Sequence, residues 1–172
     1  MKKIYFTLVL FTLFGSSTLF AQNKMGYFDL QKVLPQVPAY LAAQKEMETY
    51  GKQIEAEVKA KQDEFQKKLT DYQKGVQEKT LTPALAASKE RELQSLQQQF
   101  QQFQQTVEVD AQNRELKLMT PIYEKIEAAI TKVSEANSFK YVLKSEFIAG
   151  ANKANDISNL VLKEMGITPK PE

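Results

Sequence analysis

The tetrapeptide Thr80-Leu81-Thr82-Pro83 separates two long stretches in which apolar residues recur with a helical period. Upstream of it, one apolar position follows another roughly every 3.6 residues, at Met47, Tyr50, Ile54, Val58, Phe65, Leu69, Tyr72 and Val76. Downstream, the spacing is roughly 3.7 residues, through Leu85, Leu93, Leu96, Phe100, Phe103, Val107, Ala111, Leu118, Ile122, Ile126, Ile130 and Val133. Charged and amide side chains fill the other positions, so each stretch predicts an amphipathic α-helix.

The link between the two helices is short, and its residues suit a helix start. Thr82 is a favourable N-cap residue, and Pro83 fits the first position of a helix. Two helices joined by a short link form an antiparallel hairpin. We therefore expect a hairpin arm over residues 39–136 with its tip at about 75–83. Helices of this length reach about 60 to 80 Å.

Two features of the second stretch have alternative interpretations. Residues 94–105 hold eight glutamines in twelve positions, which indicates either a polar low-complexity tract or, as we expect, an uncharged solvated face of the helix. Pro121 lies inside the periodic stretch, where proline costs about 3 kcal/mol and kinks a helix. Either the helix bends there, or Thr120-Pro121 opens a separate helix. We predict a hinge at Pro121, with a simple structural bend as the alternative.

The segments that flank the arm predict a small body that contains β-strands. Aromatic and branched residues are enriched in three short runs, at 25–30, 139–144 and 147–150. Asn155 or Asp156 then caps a last helix, and Gly166 suits its C′ position. The predicted fold class is α+β and mostly α, a long antiparallel helical hairpin that projects from a small β-rich oligomerisation body. That body comprises residues 22–38 and 137–167, and 168–172 form a tail.

The N-terminal 21 residues resemble a secretory signal peptide. Lys2-Lys3 precede the apolar run 4–14, and small residues lead to Ala21. A retained membrane anchor is the alternative, but the apolar run is shorter than the ~20 residues that span a bilayer. We expect export to the periplasm and cleavage after Ala21.

The composition argues against an enzyme. The chain has no His, Cys or Trp, which excludes a Ser–His–Asp triad, a thiolate nucleophile and the usual zinc ligands. It also lacks a phosphate-binding loop for a nucleotide. The remaining candidates are acidic pairs such as Glu124 and Glu127, but carboxylate metal sites on helical bundles usually add His at such spacing. We expect no catalytic residue, metal or cofactor.

The charge distribution gives no indication of nucleic-acid binding. Without residues 1–21 the chain has 21 basic and 21 acidic side chains. Within the arm, residues 59–91 hold eight basic and five acidic side chains, whereas 45–58 and 108–135 together hold six basic and ten acidic ones. A solvated surface explains this gradient; alternatively, the basic tip attracts acidic clients or weakly contacts an anionic membrane surface. The basic residues in question are Lys67, Lys68, Lys74 and Lys79.

The predicted body is too small to be stable alone. A core below about 70–80 residues needs disulfides, metal or oligomerisation, and the first two are not expected here. Short exposed strand edges also invite pairing with a second copy. We therefore expect a homo-oligomer, although the residues themselves do not choose three copies over two. Apolar candidates for the contact are Tyr27, Phe28, Leu30, Tyr141, Val142, Leu143 and Phe147.

The order of these segments resembles the Skp/OmpH family of periplasmic chaperones. The similarity lies in Gly26-Tyr27-Phe28-Asp29-Leu30-Gln31-Lys32-Val33-Leu34, in Leu118-Met119-Thr120-Pro121-Ile122-Tyr123-Glu124-Lys125-Ile126 and in Phe139-Lys140-Tyr141-Val142-Leu143. The run from Asp156 to Ile167 is similar to the closing helix of the family. The resemblance covers essentially all of 25–167.

The resemblance implies a trimer whose hairpins surround a cavity. Unfolded outer-membrane β-barrel proteins would be held there without ATP, and no catalytic residues are carried over. The better-known members are strongly basic, whereas this chain is neutral once residues 1–21 are removed. Four aromatic side chains are candidate client contacts, with packing inside the hairpin as the alternative: Phe65, Tyr72, Phe100 and Phe103. A structural coiled-coil spacer or adaptor of the cell envelope is the alternative function.

Overall fold

The computed structural model describes residues 24–170. The predicted signal peptide lies outside the described residues. In chain order the elements are β1 (Met25–Phe28), α1 (Leu30–Val33), α2 (Pro38–Gln77), α3 (Pro83–Ala136), β2 (Tyr141–Lys144) and α4 (Ser158–Glu164). Short 3-10 turns occupy Leu34–Gln36, Ser145–Phe147 and Lys153–Asn155. The predicted class, a mostly α-helical hairpin with a small β-containing body, is confirmed.

The hairpin is closed by a tight turn between α2 and α3. Thr82 is the N-cap of α3, as predicted, and its hydroxyl accepts a hydrogen bond from the Leu85 amide at 3.3 Å. At the end of α2, the Thr80 amide donates to the Gly75 carbonyl at 3.0 Å, and Lys79 has a left-handed backbone with φ of 54°. This 6→1 bond with a left-handed C′ residue is a Schellman motif, which stops the helix and reverses the chain.

The two arm helices keep one antiparallel register from base to tip. Arg114 Nη1 donates to Glu46 Oε1 at 2.8 Å near the base, and Lys68 forms an ion pair with Glu92 farther out. The residue numbers of each pair add to 160, so the helices advance at the same rate in opposite directions. No side chain in 44–74 or 76–121 is fully buried. The arm is therefore a single layer of two helices.

Helix α3 continues through Pro121 as one element of 54 residues. The alternative of a separate helix beginning at Thr120-Pro121 is therefore wrong. Pro121 is exposed on the helix surface, whereas the next residue, Ile122, is buried in the core. Because proline has no N–H, the carbonyl one turn earlier lacks its helical donor. The role of Pro121 as a hinge stays a prediction.

The body contains a two-stranded parallel sheet. β1 pairs with β2 in the register from Met25↔Tyr141 to Phe28↔Lys144. On the other edge of β1, the Ile157 amide donates to the Tyr27 carbonyl at 2.9 Å. The prediction of a strand at 147–150 is wrong. The chain turns at Ser145–Phe147, and within residues 24–170 no strand pairs with 148–150, so the aromatic and branched residues there reflect an apolar surface rather than a ladder.

The core lies where the base of the hairpin meets α4. Of the residues between 24 and 170, eleven apolar ones are buried there: Phe28, Val33, Val37, Ala43, Ile122, Ile126, Ala129, Val133, Ile157, Val161 and Leu162. Helix α4 ends as predicted, with Gly166 at C′ in a left-handed backbone. The Ile167 amide donates a hydrogen bond to the Leu162 carbonyl at 2.9 Å. Its start differs from the prediction, because Ile157 is the N-cap residue.

A buried polar contact joins α1 to α4. Ser158 Oγ accepts from the Asp29 amide at 2.9 Å, while Asp156 accepts from the Ser158 amide at 2.8 Å and from Lys32 Nζ at 3.2 Å. Burial raises the pKa of Asp156, but the hydrogen bonds from Ser158 and Lys32 outweigh burial and hold that pKa below its usual range. Asp156 is not the N-cap residue of α4, but its carboxylate still accepts a hydrogen bond from the amide of Ser158, the first residue of that helix.

Candidate functional site

The apolar residues that recur with a helical period along α2 and α3 form a seam between the two helices, and this seam remains partly exposed. Two helices in one layer can cover only one side of each seam residue, and a third element would be needed to enclose them. Most seam residues predicted from the sequence are half-buried, and towards the tip Val76 and Leu85 are 51% and 46% exposed. The arm therefore presents a long apolar surface to its surroundings.

Two of the four predicted client contacts lie together. Phe65 of α2 and Phe100 of α3 line the same mid-arm cavity of about 360 Å³, together with Leu96. All three side chains are half-buried. An apolar floor of this kind can accept a side chain from another molecule without rearrangement of the hairpin.

The other two predicted contacts are held by polar partners. Lys61 Nζ lies 5.0 Å from the centre of the Phe103 ring, in a cation–π contact. The Tyr72 hydroxyl donates to Glu90 Oε1, and this hydrogen bond raises the pKa of Tyr72 because it favours the neutral phenol. Tyr72 is therefore fixed across the hairpin towards the tip, apart from the mid-arm cavity.

The basic residues predicted near the tip differ in their surroundings. Lys68 pairs with Glu92, and the hydrogen bond between them raises the pKa of Lys68 and lowers that of Glu92. Lys74 Nζ lies 4.0 Å from Glu78 Oε1. Lys67 and Lys79 are exposed. Because these ion pairs are solvated, each contributes little to stability.

The predicted oligomer contacts divide into core and surface residues. Phe28 is buried at 4% exposure within the chain's own core, so only a small part of its side chain reaches the surface. Tyr141, Leu143 and Phe147 are 60%, 44% and 76% exposed. A groove of about 520 Å³ beside β2 is lined by further candidates and by base residues of α3: Phe28, Leu30, Val142, Leu143, Tyr123, Ile126 and Ile130. Tyr27 is half-buried between β2 and the start of α4.

Several features of the arm and body could not be predicted from the sequence, because they depend on how the folded chain brings residues together. Arg114 pairs with Glu46 and places its guanidinium 4.7 Å from the centre of the Tyr50 ring. At the other end of the arm, the Leu81 side chain packs onto Gly75. Met25 and Tyr123, 53% and 40% exposed, extend the apolar surface of the body. The position of Arg114 among the apolar residues of α3 was a signal that it has a partner, but Glu46 lies 68 residues away in the sequence and could not be identified from it.

The acidic pair considered for an enzyme forms no metal site. Glu124 and Glu127 are exposed on α3, and within residues 24–170 no three Asp, Glu, His or Cys side chains are close enough to bind a metal together. Among the helices that the structure describes, none has both the length and the apolar character to cross a membrane.

Comparison with known proteins identifies the class. Residues 24–165 match the family model described as outer membrane protein (OmpH-like). The match covers most of the chain, and the chain belongs to the OmpH-like family.

Individual relatives agree with this assignment. The chain is 24% identical over 156 residues to the chaperone protein Skp of Pectobacterium atrosepticum, covering 88% of this chain and 90% of that protein. It is 25% identical over 150 residues to Skp of Photorhabdus laumondii subsp. laumondii, covering 84% and 87%. A solved OmpH-like structure from Caulobacter crescentus CB15 superposes with a TM-score of 0.74 at 18% identity, covering 88% and 90% of the two chains. At that identity the structural similarity establishes the fold alone.

Proposed function

We propose that this protein is an ATP-independent periplasmic chaperone that holds unfolded outer-membrane proteins between its helical arms and prevents their aggregation. It would act as a binding protein without catalytic residues, metal or cofactor. Membership of the OmpH-like family and similarity to Skp chaperones over most of both chains support this function. The observation that carries it is the arm itself, whose seam stays half exposed along α2 and α3.

The mechanism follows from many weak contacts. Each half-exposed seam residue offers a little apolar surface, so a client binds weakly at any one position. Arms that engage the same client simultaneously multiply their affinities. Nothing in this mechanism requires nucleotide hydrolysis. Release would follow when the client's strands satisfy their own backbone hydrogen bonds in the membrane.

The proposed assembly is a homotrimer. The exposed apolar residues of the body support contact with further copies, above all Tyr141, Leu143 and Phe147. The Skp/OmpH resemblance is the reason to prefer three copies. The variant Leu143→Glu should lower the mass measured by light scattering, because a carboxylate at an apolar contact must lose its hydration. An unchanged mass would exclude Leu143 from the interface.

The charge of the arm sets a second expectation. A chain that is neutral after loss of residues 1–21 lacks a strong field to attract charged partners. The exposed Lys67 and Lys79 leave only a weak contact with an anionic membrane surface at the tip. Binding to vesicles that contain anionic lipid should therefore be weak and should disappear at moderate salt. We propose the periplasm as the location, reached through the signal peptide.

The decisive experiment is an aggregation assay. A urea-unfolded outer-membrane β-barrel protein is diluted into buffer with residues 22–172 of this protein, and light scattering is followed against the molar ratio. Suppression that saturates near three chains per client is the expected result for a trimer with one client per cavity. The mass of the complex, measured by light scattering after chromatography, checks that ratio.

A spacer or adaptor of the cell envelope is the competing function. The ion pairs Glu46–Arg114 and Lys68–Glu92 bridge the two helices and mark one fixed register, which a spacer would also need. No suppression of aggregation at molar excess, by a protein that remains folded and oligomeric, would support the spacer. A folded partner would then be sought at residues 74–92.

A further inference from the structure

The middle of helix α3 has a surface without charge. Residues 93–107 include no Asp, Glu, Lys or Arg, and eight of these fifteen positions are glutamine. At 1.5 Å per residue this face extends over about 22 Å of the arm. Charged residues begin again on both sides, at Glu92 and Glu108.

The mid-arm cavity lies between this uncharged stretch of α3 and residues 61–66 of α2. Phe65, Leu96 and Phe100 contribute apolar lining. Four glutamines lie around them, two from each helix: Gln62, Gln66, Gln97 and Gln99. The two charged residues of the lining, Lys61 and Glu64, have opposite signs. The cavity therefore combines apolar surface, amide groups and no net charge.

The four glutamines form an amide rim around the cavity, and this rim suits the backbone of an extended peptide. Each glutamine offers two N–H donors and a carbonyl acceptor, so it can pair with either group of a peptide backbone. A charged rim would favour one sign of ligand and would lose hydration when covered. An unfolded β-strand segment has unpaired backbone groups and alternating apolar side chains. A cavity of about 360 Å³ has room for one or two side chains rather than for a folded surface.

We propose that this amide-rimmed cavity binds uncharged extended segments of an unfolded polypeptide. An apolar side chain of the segment would lie against Phe65 and Phe100, while its backbone pairs with the rim glutamines. The electrical neutrality of rim and segment is the complementarity that selects this occupant. The proposal rests on the chaperone function above and names the kind of client segment that the arm recognises. Binding should depend little on salt, because no ion pair forms.

The test compares rim glutamines with glutamines of the same tract outside the cavity. The rim variant is Gln97→Glu with Gln99→Glu, and the matched control is Gln98→Glu with Gln101→Glu. All four positions are exposed on α3, so both variants should fold. A second rim variant, Gln62→Glu, tests the opposite helix. The probe is a fluorescently labelled 12-residue peptide of alternating valine and threonine, and its affinity is measured by anisotropy.

The expected result is a loss confined to the rim. Removing about two backbone hydrogen bonds should weaken uncharged-peptide binding about tenfold, while the control stays within about twofold. Wild-type affinity should change little between about 20 and about 300 mM salt. A peptide with two lysines should instead gain affinity for the rim variant, because the new carboxylates attract it.

The outcomes separate this inference from the chaperone function. If wild type suppresses barrel aggregation but rim and control variants bind the peptide equally, the cavity proposal is overturned and the function stands. If wild type fails to suppress aggregation, the proposed chaperone function is wrong, and the cavity proposal, which rests on that function, is wrong as well. If the rim variant changes only the oligomer mass, a second copy occupies the cavity, which also overturns the proposal.

Discussion

Two glycines of helix α2 should respond in opposite ways to the same substitution. Gly51 is exposed, and a Cβ built there meets no heavy atom within 4 Å. Gly51→Ala should therefore stabilise the hairpin by about 1 kcal/mol, the difference in helix propensity between alanine and glycine. This variant is the matched control for Gly75.

Gly75 lies under the turn that closes the hairpin. A Cβ there would lie 2.7 Å from Cγ of Leu81, and 2.9 and 3.0 Å from the two Cδ atoms. Contacts this short force Leu81 to move, and overpacking typically costs about 1–3 kcal/mol. The propensity gain of about 1 kcal/mol remains, so Gly75→Ala should change stability by between zero and about 2 kcal/mol in the destabilising direction. The two alanine variants should differ by about 1–3 kcal/mol.

Urea unfolding followed by helical circular dichroism measures this difference. Hydrogen exchange of the Thr80 amide, which donates to the Gly75 carbonyl, reports whether the turn opens locally. Adding Leu81→Ala to Gly75→Ala should recover part of the loss, since the clash disappears. If Gly75→Ala stabilised the hairpin as much as Gly51→Ala does, the packing of Leu81 on Gly75 would not constrain the turn, and the reasoning would be wrong.

Three further predictions concern helix ends. Lys79→Gly and Ser138→Gly should each stabilise by about 1 kcal/mol, because φ of 54° and 57° strains any residue with a Cβ; no rise in melting temperature for either would contradict this. Thr82→Ala should cost about 1 kcal/mol through loss of the N-cap bond, with Thr82→Ser as the control that retains it. Asp156→Asn should destabilise the body at neutral pH by about 1–3 kcal/mol. Because the pKa of Asp156 is lowered in the fold, the stabilisation by ionised Asp156 is complete above the ordinary pKa of 3.8 and disappears as pH falls through the folded pKa. The free energies of unfolding of the variant and wild type should therefore converge in acid. A constant difference between them down to about pH 2 would refute this.

The parts of the fold that follow local rules could be predicted from the sequence. Helical periodicity marked both arm helices, and Thr82-Pro83 marked the start of α3 within one residue. Gly166 marked the end of α4 through its freedom to adopt positive φ. These signals act within one or two helical turns, so no knowledge of tertiary structure was needed.

The parts that depend on tertiary contact could not be predicted in the same way. The 147–150 segment has strand-forming residues, but a strand exists only where a partner pairs with it. Glu64 precedes Lys68 by four residues, a spacing that favours an ion pair along one helix, yet Lys68 pairs with Glu92 across the hairpin. For the candidate site, the periodicity named Phe65 and Phe100, but only the register shows that they share a cavity.

The half-exposed seam also limits how tightly the arm can bind. An aromatic side chain can bury about 150–250 Å², so a seam aromatic such as Phe65, most of which is already covered, has about 50 Å² left to offer a client. At about 25 cal/mol per Å² this is worth about 1 kcal/mol, and ordering the side chains in contact costs about 0.5–1.5 kcal/mol each. Each contact therefore contributes less than about 1 kcal/mol. A single arm therefore releases a client readily, and retention requires several contacts at once. Once the client's strands pair with each other, these contacts are lost together, and release needs no energy source.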